Sequence, residues 1–171
     1  MLEPTAISKL RDDKMVRLVG RARPLAPLLT APMSGEPCLC FLTITDEGPP
    51  GLGMWREFGR EQRGIDFVLD DGTGQALIRA AGAQLGGRRP GDTIGAWLEG
   101  LLRRMTFRLF MGGRMRWREW VITADHPVAV GGMASFELDA RAEPTDYREA
   151  PHKVVFAAAD DVPLYIANVK R

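Results

Sequence analysis

The sequence contains few of the residues that build metal centres and disulfide frameworks. Its 171 residues include two cysteines and two histidines. A structural zinc site needs about four ligands, so the two cysteines would have to recruit both His126 and His152. Cys38 and Cys40 are predicted to share one face of a strand, where residues two apart are too distant for an easy disulfide. We therefore expect reduced, buried thiols without a metal, and no cofactor.

Long apolar runs and a strong net charge are also lacking. No run of about 20 apolar residues is present, as a membrane-spanning helix requires. Lys9 and Arg11 interrupt any signal-peptide core near the start of the chain. The 23 basic and 22 acidic residues leave a net charge of +1, which argues against nucleic acid as a partner of the whole surface. We expect a soluble, cytoplasmic protein with no membrane span.

The most regular pattern in the chain is a predicted β-hairpin at residues 65–80. Ile65, Phe67 and Leu69 fall on one face of an extended chain, with Asp66, Val68 and Asp70 on the other, as in a strand with one buried face. The turn Asp71-Gly72-Thr73-Gly74 follows, and the second arm offers Leu77 and Ile78 to the core. This turn is interpreted as structural rather than phosphate-binding, because no helix and no Gly-Lys-Ser/Thr follows it.

Further strands are predicted on both sides of the hairpin. The segment 37–46 begins with apolar residues on both faces and is interpreted as a central strand. The segment 128–138 contains Gly131-Gly132, which allows a bulge or a close backbone approach. The remaining strands are predicted at 15–22, 54–63, 114–123, 153–157 and 164–167.

Helical periodicity occurs once, near residues 93–105. Apolar side chains there recur at the spacing of one helix face: Ile94, Trp97, Leu98, Leu101, Leu102 and Met105. Together these patterns predict one domain over residues 1–171, mainly β, with this amphipathic helix inserted in it. The expected architecture is an antiparallel barrel-like or sandwich-like domain.

Several stretches, in their order, resemble one known family. They are Val16–Ala22, Leu29–Cys38, Phe67–Gly74, Trp117–Ile122, Val128–Gly132 and Pro163–Asn168. Together they resemble the GIDE domain, which lies between two membrane helices of a mitochondrial E3 ubiquitin ligase and also occurs in bacterial proteins of unknown role. The resemblance implies a β-rich, barrel-like domain without a known catalytic centre. The RING and the membrane helices of the ligase have no counterpart here, so the resemblance does not imply ligase activity.

One basic strand is the candidate binding surface. Arg114, Arg116 and Arg118 fall on one face of the segment 114–123, and Trp120 continues that face. Arginine beside aromatic residues on a barrel face is typical of proteins that bind single-stranded nucleic acid. A solvated outer face beside a tryptophan core is the structural alternative.

No catalytic, cofactor-binding or metal-binding residue is predicted. His126 and His152 adjoin prolines in turns, and no serine or cysteine nucleophile motif accompanies them. We expect a non-enzymatic protein-interaction or structural module, associated with a membrane or envelope only through a protein partner. Single-stranded nucleic-acid binding through the basic strand is one alternative, and a hydrolase whose site combines distant residues is another.

Overall fold

The structure is a computed structural model that describes residues 3–11, 14–48, 54–86, 114–139 and 152–169. The described chain is mainly β, as predicted, with one short 3-10 helix at Ile7–Lys9. The helix predicted near 93–105 lies outside the described residues. In chain order the strands are β1 Met15–Pro24, β2 Leu29–Thr30, β3 Pro37–Cys38, β4 Cys40–Gly48, β5 Arg56–Gly64, β6 Phe67–Asp70, β7 Gln75–Arg79, β8 Gln84–Gly86, β9 Arg114–Ile122, β10 Val128–Met133, β11 Ser135–Leu138, β12 His152–Ala157 and β13 Tyr165–Asn168.

Eight strands form one bent sheet in the order β11-β12-β7-β6-β1-β10-β13-β8. Two segments of chain connect its two halves. Residues 15–20 of β1 pair with β10, and residues 21–24 pair with β6. The segment of β10 and β11 also connects the two halves, because β10 pairs with β1 and β11 pairs with β12. Within the described chain the sheet is open at β11 and β8, and is therefore sandwich-like rather than a closed barrel.

Gly20 lies where β1 passes from one half of the sheet to the other. A Cβ atom at this position would lie 2.5 Å from the carbonyl oxygen of Asp70. Because that neighbour is backbone and cannot move aside cheaply, the close approach of β1 and β6 requires glycine.

Both halves of the sheet bury one face in the main apolar core. Its largest members show no solvent exposure: Leu18, Phe67, Leu69, Ile78, Ile122, Phe156, Leu164 and Ile166. The predicted hairpin is confirmed as β6 and β7. Ala76 and Ile78 are its buried residues in β7, whereas Leu77 is only half-buried. The assignment of Leu77 to the core is wrong because strict alternation sends it to the opposite face of the sheet.

The strand predicted at 128–138 is two strands, separated at Ala134. This break lets β10 stay in one half of the sheet while β11 pairs in the other. Gly132 serves a close approach rather than a bulge. A Cβ atom there would lie 3.0 Å from Leu164 and 3.3 Å from Phe156, within the core.

The turn between β6 and β7 anchors the 3-10 helix. Oδ1 of Asp71 accepts hydrogen bonds from the amides of Thr73 and Gly74. Oδ2 of Asp71 accepts one from the amide of Ile7, at 2.7 Å. Burial raises the pKa of Asp71, but these hydrogen bonds outweigh it, and the pKa lies below its ordinary value. The turn amides are thus satisfied from within the chain, in agreement with a structural role.

A second sheet has the order β5-β4-β9, and β2 and β3 form a separate two-stranded sheet. β4 is confirmed as a central strand: it pairs with β5 and β9, and both its faces are buried over residues 40–46. β5, by contrast, is almost entirely exposed.

Cys38 and Cys40 are both buried and free. They do not share one apolar cluster: Cys38 packs with Ala31 and Phe41, whereas Cys40 belongs to the main core. The prediction of a common face is wrong because the chain changes pairing at Leu39, between β3 and β4. Burial raises the pKa of the Cys38 thiol to about 11 and that of the Cys40 thiol to about 12.

Candidate binding surface

In the register of β9 on β4, Arg116 and Arg118 of the predicted basic strand lie on one face. Arg116 lies opposite Asp46, Arg118 opposite Ile44, and Trp120 opposite Leu42. Arg114 lies opposite Gly48, at the end of the same ladder. Because side chains alternate along a strand, Arg116, Arg118 and Trp120 project from the same side of the three-stranded sheet.

A buried carboxylate binds two of these arginines. Oδ2 of Asp46 accepts hydrogen bonds from Nε of Arg116 and Nε of Arg118, each at 2.9 Å. Oδ1 of Asp46 accepts a third, from Nη2 of Arg118, at 3.0 Å. The Asp46 side chain is 3% exposed, while those of Arg116 and Arg118 are 45% and 37% exposed. The three residues, called here the Asp46 cluster, thus combine a buried anion with two half-exposed cations.

Two tryptophans flank the Asp46 cluster. The guanidinium of Arg116 lies 4.6 Å from the ring centre of Trp55, which precedes β5. The guanidinium of Arg118 lies 5.7 Å from the ring centre of Trp120, which is half-buried on the same strand. Both distances fall within the range of cation–π attraction. We call Trp55, Trp120 and the Asp46 cluster the tryptophan–arginine face.

The charge of Asp46 is stabilised against its burial. Burial raises the pKa of this carboxyl group, but the hydrogen bonds and positive charges of Arg118 and Arg116 outweigh burial. The pKa of Asp46 therefore lies below its ordinary value, and the carboxylate is ionised at neutral pH. Each arginine is held in place by a charge-assisted hydrogen bond on one side and an aromatic ring on the other.

A further ion pair lies beside this face on β5. Glu57 is opposite Asp46 in the register of β4 and β5, and Arg60 donates to the Glu57 carboxylate at 3.0 Å. Counting Arg60, Arg116 and Arg118 against Asp46 and Glu57 gives three positive and two negative charges. These five side chains therefore carry a net charge of +1, because carboxylates stand among the arginines.

The opposite face of the same sheet holds a second buried carboxylate. Glu119 is 8% exposed and accepts hydrogen bonds from the amides of Met33 and Ser34, at 2.8 and 2.9 Å. The hydroxyl of Thr43 donates a third, at 3.2 Å. Glu119 thereby fixes the turn between β2 and β3 against the sheet. These three contacts are internal and use most of the acceptor sites of the carboxylate.

Sequence reasoning found Arg116, Arg118 and Trp120 but missed Asp46 and Trp55. Asp46 ends the strand predicted at 37–46, and Trp55 falls in the strand predicted at 54–63. The contact from Asp46 to Arg116 spans 70 positions in the sequence. An acidic residue at the end of an otherwise apolar strand was the available signal, since such a charge needs a partner once buried.

The described residues provide no group of three or more His, Cys, Asp or Glu side chains arranged to hold a metal ion. Nδ1 of His126 lies 3.0 Å from the Asp125 carboxylate in an exposed turn. His152 is exposed at the start of β12. Hydrogen bonds from Thr123 and His126 lower the pKa of Asp125 to about 2.

In the described ranges, no helix is both long and apolar enough to cross a membrane.

Comparisons of the chain with family models, with curated proteins and with solved structures each found no match.

Proposed function

We propose that this domain is a non-enzymatic protein-interaction module whose binding surface is the tryptophan–arginine face. The observation that carries the proposal is the grouping of two tryptophans and two arginines around buried Asp46. Tryptophan and arginine are the residue types most enriched among the energetic hot spots of protein interfaces. Trp55 and both arginines are partly exposed, so a partner can reach them.

The contacts within this face favour binding because they fix the side chains in advance. A free arginine loses much of its rotamer freedom when it enters an interface, at about 0.5–1.5 kcal/mol for each immobilised side chain. Arg118 is already held by two hydrogen bonds to Asp46, and Arg116 by one hydrogen bond and the Trp55 ring. Much of that loss therefore occurs during folding and does not weaken binding.

The resemblance to the GIDE domain supports the same class of function, since it implies a β-rich domain without a catalytic centre. On this basis the domain serves a protein partner, and any association with a membrane or envelope runs through that partner. Single-stranded nucleic acid is the weaker candidate. The carboxylates of Asp46 and Glu57 stand among the arginines and repel a phosphate backbone, so an oligonucleotide titration at low salt is expected to show weak association at most.

Site-directed photo-crosslinking in cells tests the proposal. The crosslinking amino acid p-benzoylphenylalanine replaces Phe58, a 47% exposed residue on β5 that directly follows Glu57, the residue opposite Asp46. The matched control carries it at Phe136, which is 37% exposed on β11 in the other sheet. We expect protein adducts at position 58 that disappear when Trp55→Ala and Arg116→Ala are added. Adducts that persist in this double variant, or that form equally at both positions, contradict the proposal.

A further inference from the structure

We propose that the outer edge of the Arg116 guanidinium is a docking site for one carboxylate, so that the partner presents an acidic segment. This inference rests on the proposed function and specifies the chemistry of the partner. It follows from three features of the Asp46 cluster: its unused donors, its charge, and the support that Trp55 gives to Arg116.

The two arginines use their donors differently. Arg118 donates from both Nε and Nη2, so its bidentate edge is occupied by Asp46. Arg116 donates to Asp46 from Nε alone. None of the described residues accepts a hydrogen bond from either Nη atom of Arg116, and the side chain is 45% exposed. The edge formed by these two nitrogens matches the geometry in which arginine binds a carboxylate through two parallel hydrogen bonds.

Charge favours a single carboxylate. The Asp46 cluster contains two guanidinium groups and one carboxylate, which leaves one positive charge uncompensated. One external carboxylate brings the total to zero. A phosphate group carries about two negative charges near neutral pH, and it would stand close to Asp46 and Glu57, which lie opposite one another in the sheet. The electrostatics therefore select a carboxylate over a phosphate.

Trp55 fixes the orientation of this docking edge. The central carbon of the Arg116 guanidinium lies over the Trp55 ring, 4.6 Å from its centre. Asp46 fixes the plane from the Nε side. The bidentate edge is thereby directed away from both, and binding a carboxylate requires little reorganisation. Acidic side chains on an extended segment of a partner protein supply that group.

Titration followed by NMR tests the inference with defined probes. The probe is the peptide acetyl-Gly-Gly-Glu-Gly-Gly-amide, and its twin with glutamine in place of glutamate lacks only the charge. We expect the glutamate peptide to shift the Arg116 Nε–H and Trp55 Nε1–H resonances in a saturable way, and the glutamine twin to shift neither. Inorganic phosphate, titrated separately, is expected to bind more weakly than the glutamate peptide.

A charge-conserving variant shows whether the bidentate edge matters. Arg116→Lys keeps the positive charge but removes the planar fork, so we expect about a fivefold or greater loss of affinity for the glutamate peptide. Arg63→Lys is the matched control. Arg63 is exposed on the same sheet but lies opposite Phe41, on the other face, and its replacement is expected to leave affinity unchanged. The proton–nitrogen spectrum of each variant verifies that it is folded.

Several outcomes overturn the inference. Equal shifts with both peptides, an equal effect of both variants, or tighter binding of phosphate each remove the carboxylate site. Crosslinks at position 58 that disappear in the Trp55→Ala, Arg116→Ala double variant, together with no response to the glutamate peptide, retain the interaction function and reject the carboxylate. A peptide response without any crosslink that depends on this pair rejects the interaction function instead.

Discussion

The two sheets of this protein bury different kinds of side chain. The core of the eight-stranded sheet is apolar, with Phe67 and Phe156 among its fully buried residues. In the three-stranded sheet, β4 and β9 carry every buried polar side chain of the described chain: Thr43, Thr45, Asp46 and Glu119. The first sheet is therefore stabilised mainly by removal of apolar surface from water, and the second depends in addition on hydrogen bonds to two carboxylates.

The two sheets therefore differ in how strictly their buried positions constrain the side chain. Apolar packing tolerates exchange of one large apolar side chain for another of similar volume, so many sequences satisfy it. A buried carboxylate tolerates little exchange, because each oxygen needs specific donors. The eight-stranded sheet thus provides a general scaffold, and the three-stranded sheet carries the chemistry that distinguishes this chain. The following predictions test that division, beginning with the largest expected effect.

Phe156→Ala is expected to destabilise the protein most. Phe156 is fully buried in the main core, and truncation of such a side chain costs about 3–5 kcal/mol through lost transfer energy and the cavity left behind. Urea denaturation followed by tryptophan fluorescence measures the change. Phe136→Ala, at a 37% exposed position, is the control and is expected to cost much less. Similar losses in both variants would show that the core is not organised as described.

Asp46→Asn is expected to lower the free energy of unfolding by about 2 kcal/mol, since it removes charge-assisted hydrogen bonds to two arginines. Asparagine keeps the volume but presents an amide group to Arg116 or Arg118 where both require acceptors. Asp160→Asn, in an exposed turn, is the control. Equal stability of Asp46→Asn and the parent, measured by the same denaturation, would mean that the Asp46 cluster contributes nothing to folding.

Glu119→Gln is expected to cost about 1–2 kcal/mol, because one of the two acceptor oxygens becomes an amide nitrogen facing a backbone donor. The affected donors are the amides of Met33 and Ser34. Thr43→Val, which removes only the third hydrogen bond, is expected to cost less. A loss larger than that of Phe156→Ala would show that this carboxylate contributes more to stability than a large side chain of the apolar core.

A loss of stability is also expected at alkaline pH. The folded pKa values of Cys38 and Cys40, about 11 and about 12, lie above the ordinary thiol value. The unfolded chain therefore releases these protons first. The contribution of each thiol is complete below the ordinary pKa and falls by about 1.4 kcal/mol per pH unit as the pH rises from there towards the folded value.

Melting temperatures between pH 8 and pH 10.5 measure this effect. The double variant Cys38→Ala, Cys40→Ala serves as the reference, because it lacks the titrating thiols while other groups titrate as before. We expect the parent to lose stability more steeply than the reference over this range. Parallel curves would show that the thiols ionise as easily in the folded protein as in the unfolded chain.

Sequence patterns predicted the elements whose signal is local. The alternation in β6 and β7, the apolar start of β4 and the shared face of Arg116 and Arg118 all follow from the two-residue repeat of a strand. This repeat does not predict the division at Ala134 or the different surroundings of Cys38 and Cys40. Both depend on which strand each segment pairs with. The binding partners of Asp46 and Glu119 were likewise beyond local reasoning, since the contacts link residues 70 to 86 positions apart.

Since β1 contributes to both halves of the eight-stranded sheet, neither half can open without breaking a continuous strand. The segment of β10 and β11 imposes the same condition at a second place. Amide protons in these strands are therefore expected to exchange with solvent only through global unfolding. The exposed strand β5 pairs with β4 alone in the described chain. It can therefore separate from the sheet without breaking a strand that is shared between two halves. Its amides are expected to exchange through local opening, so the tryptophan–arginine face borders a strand that opens more readily than the eight-stranded sheet.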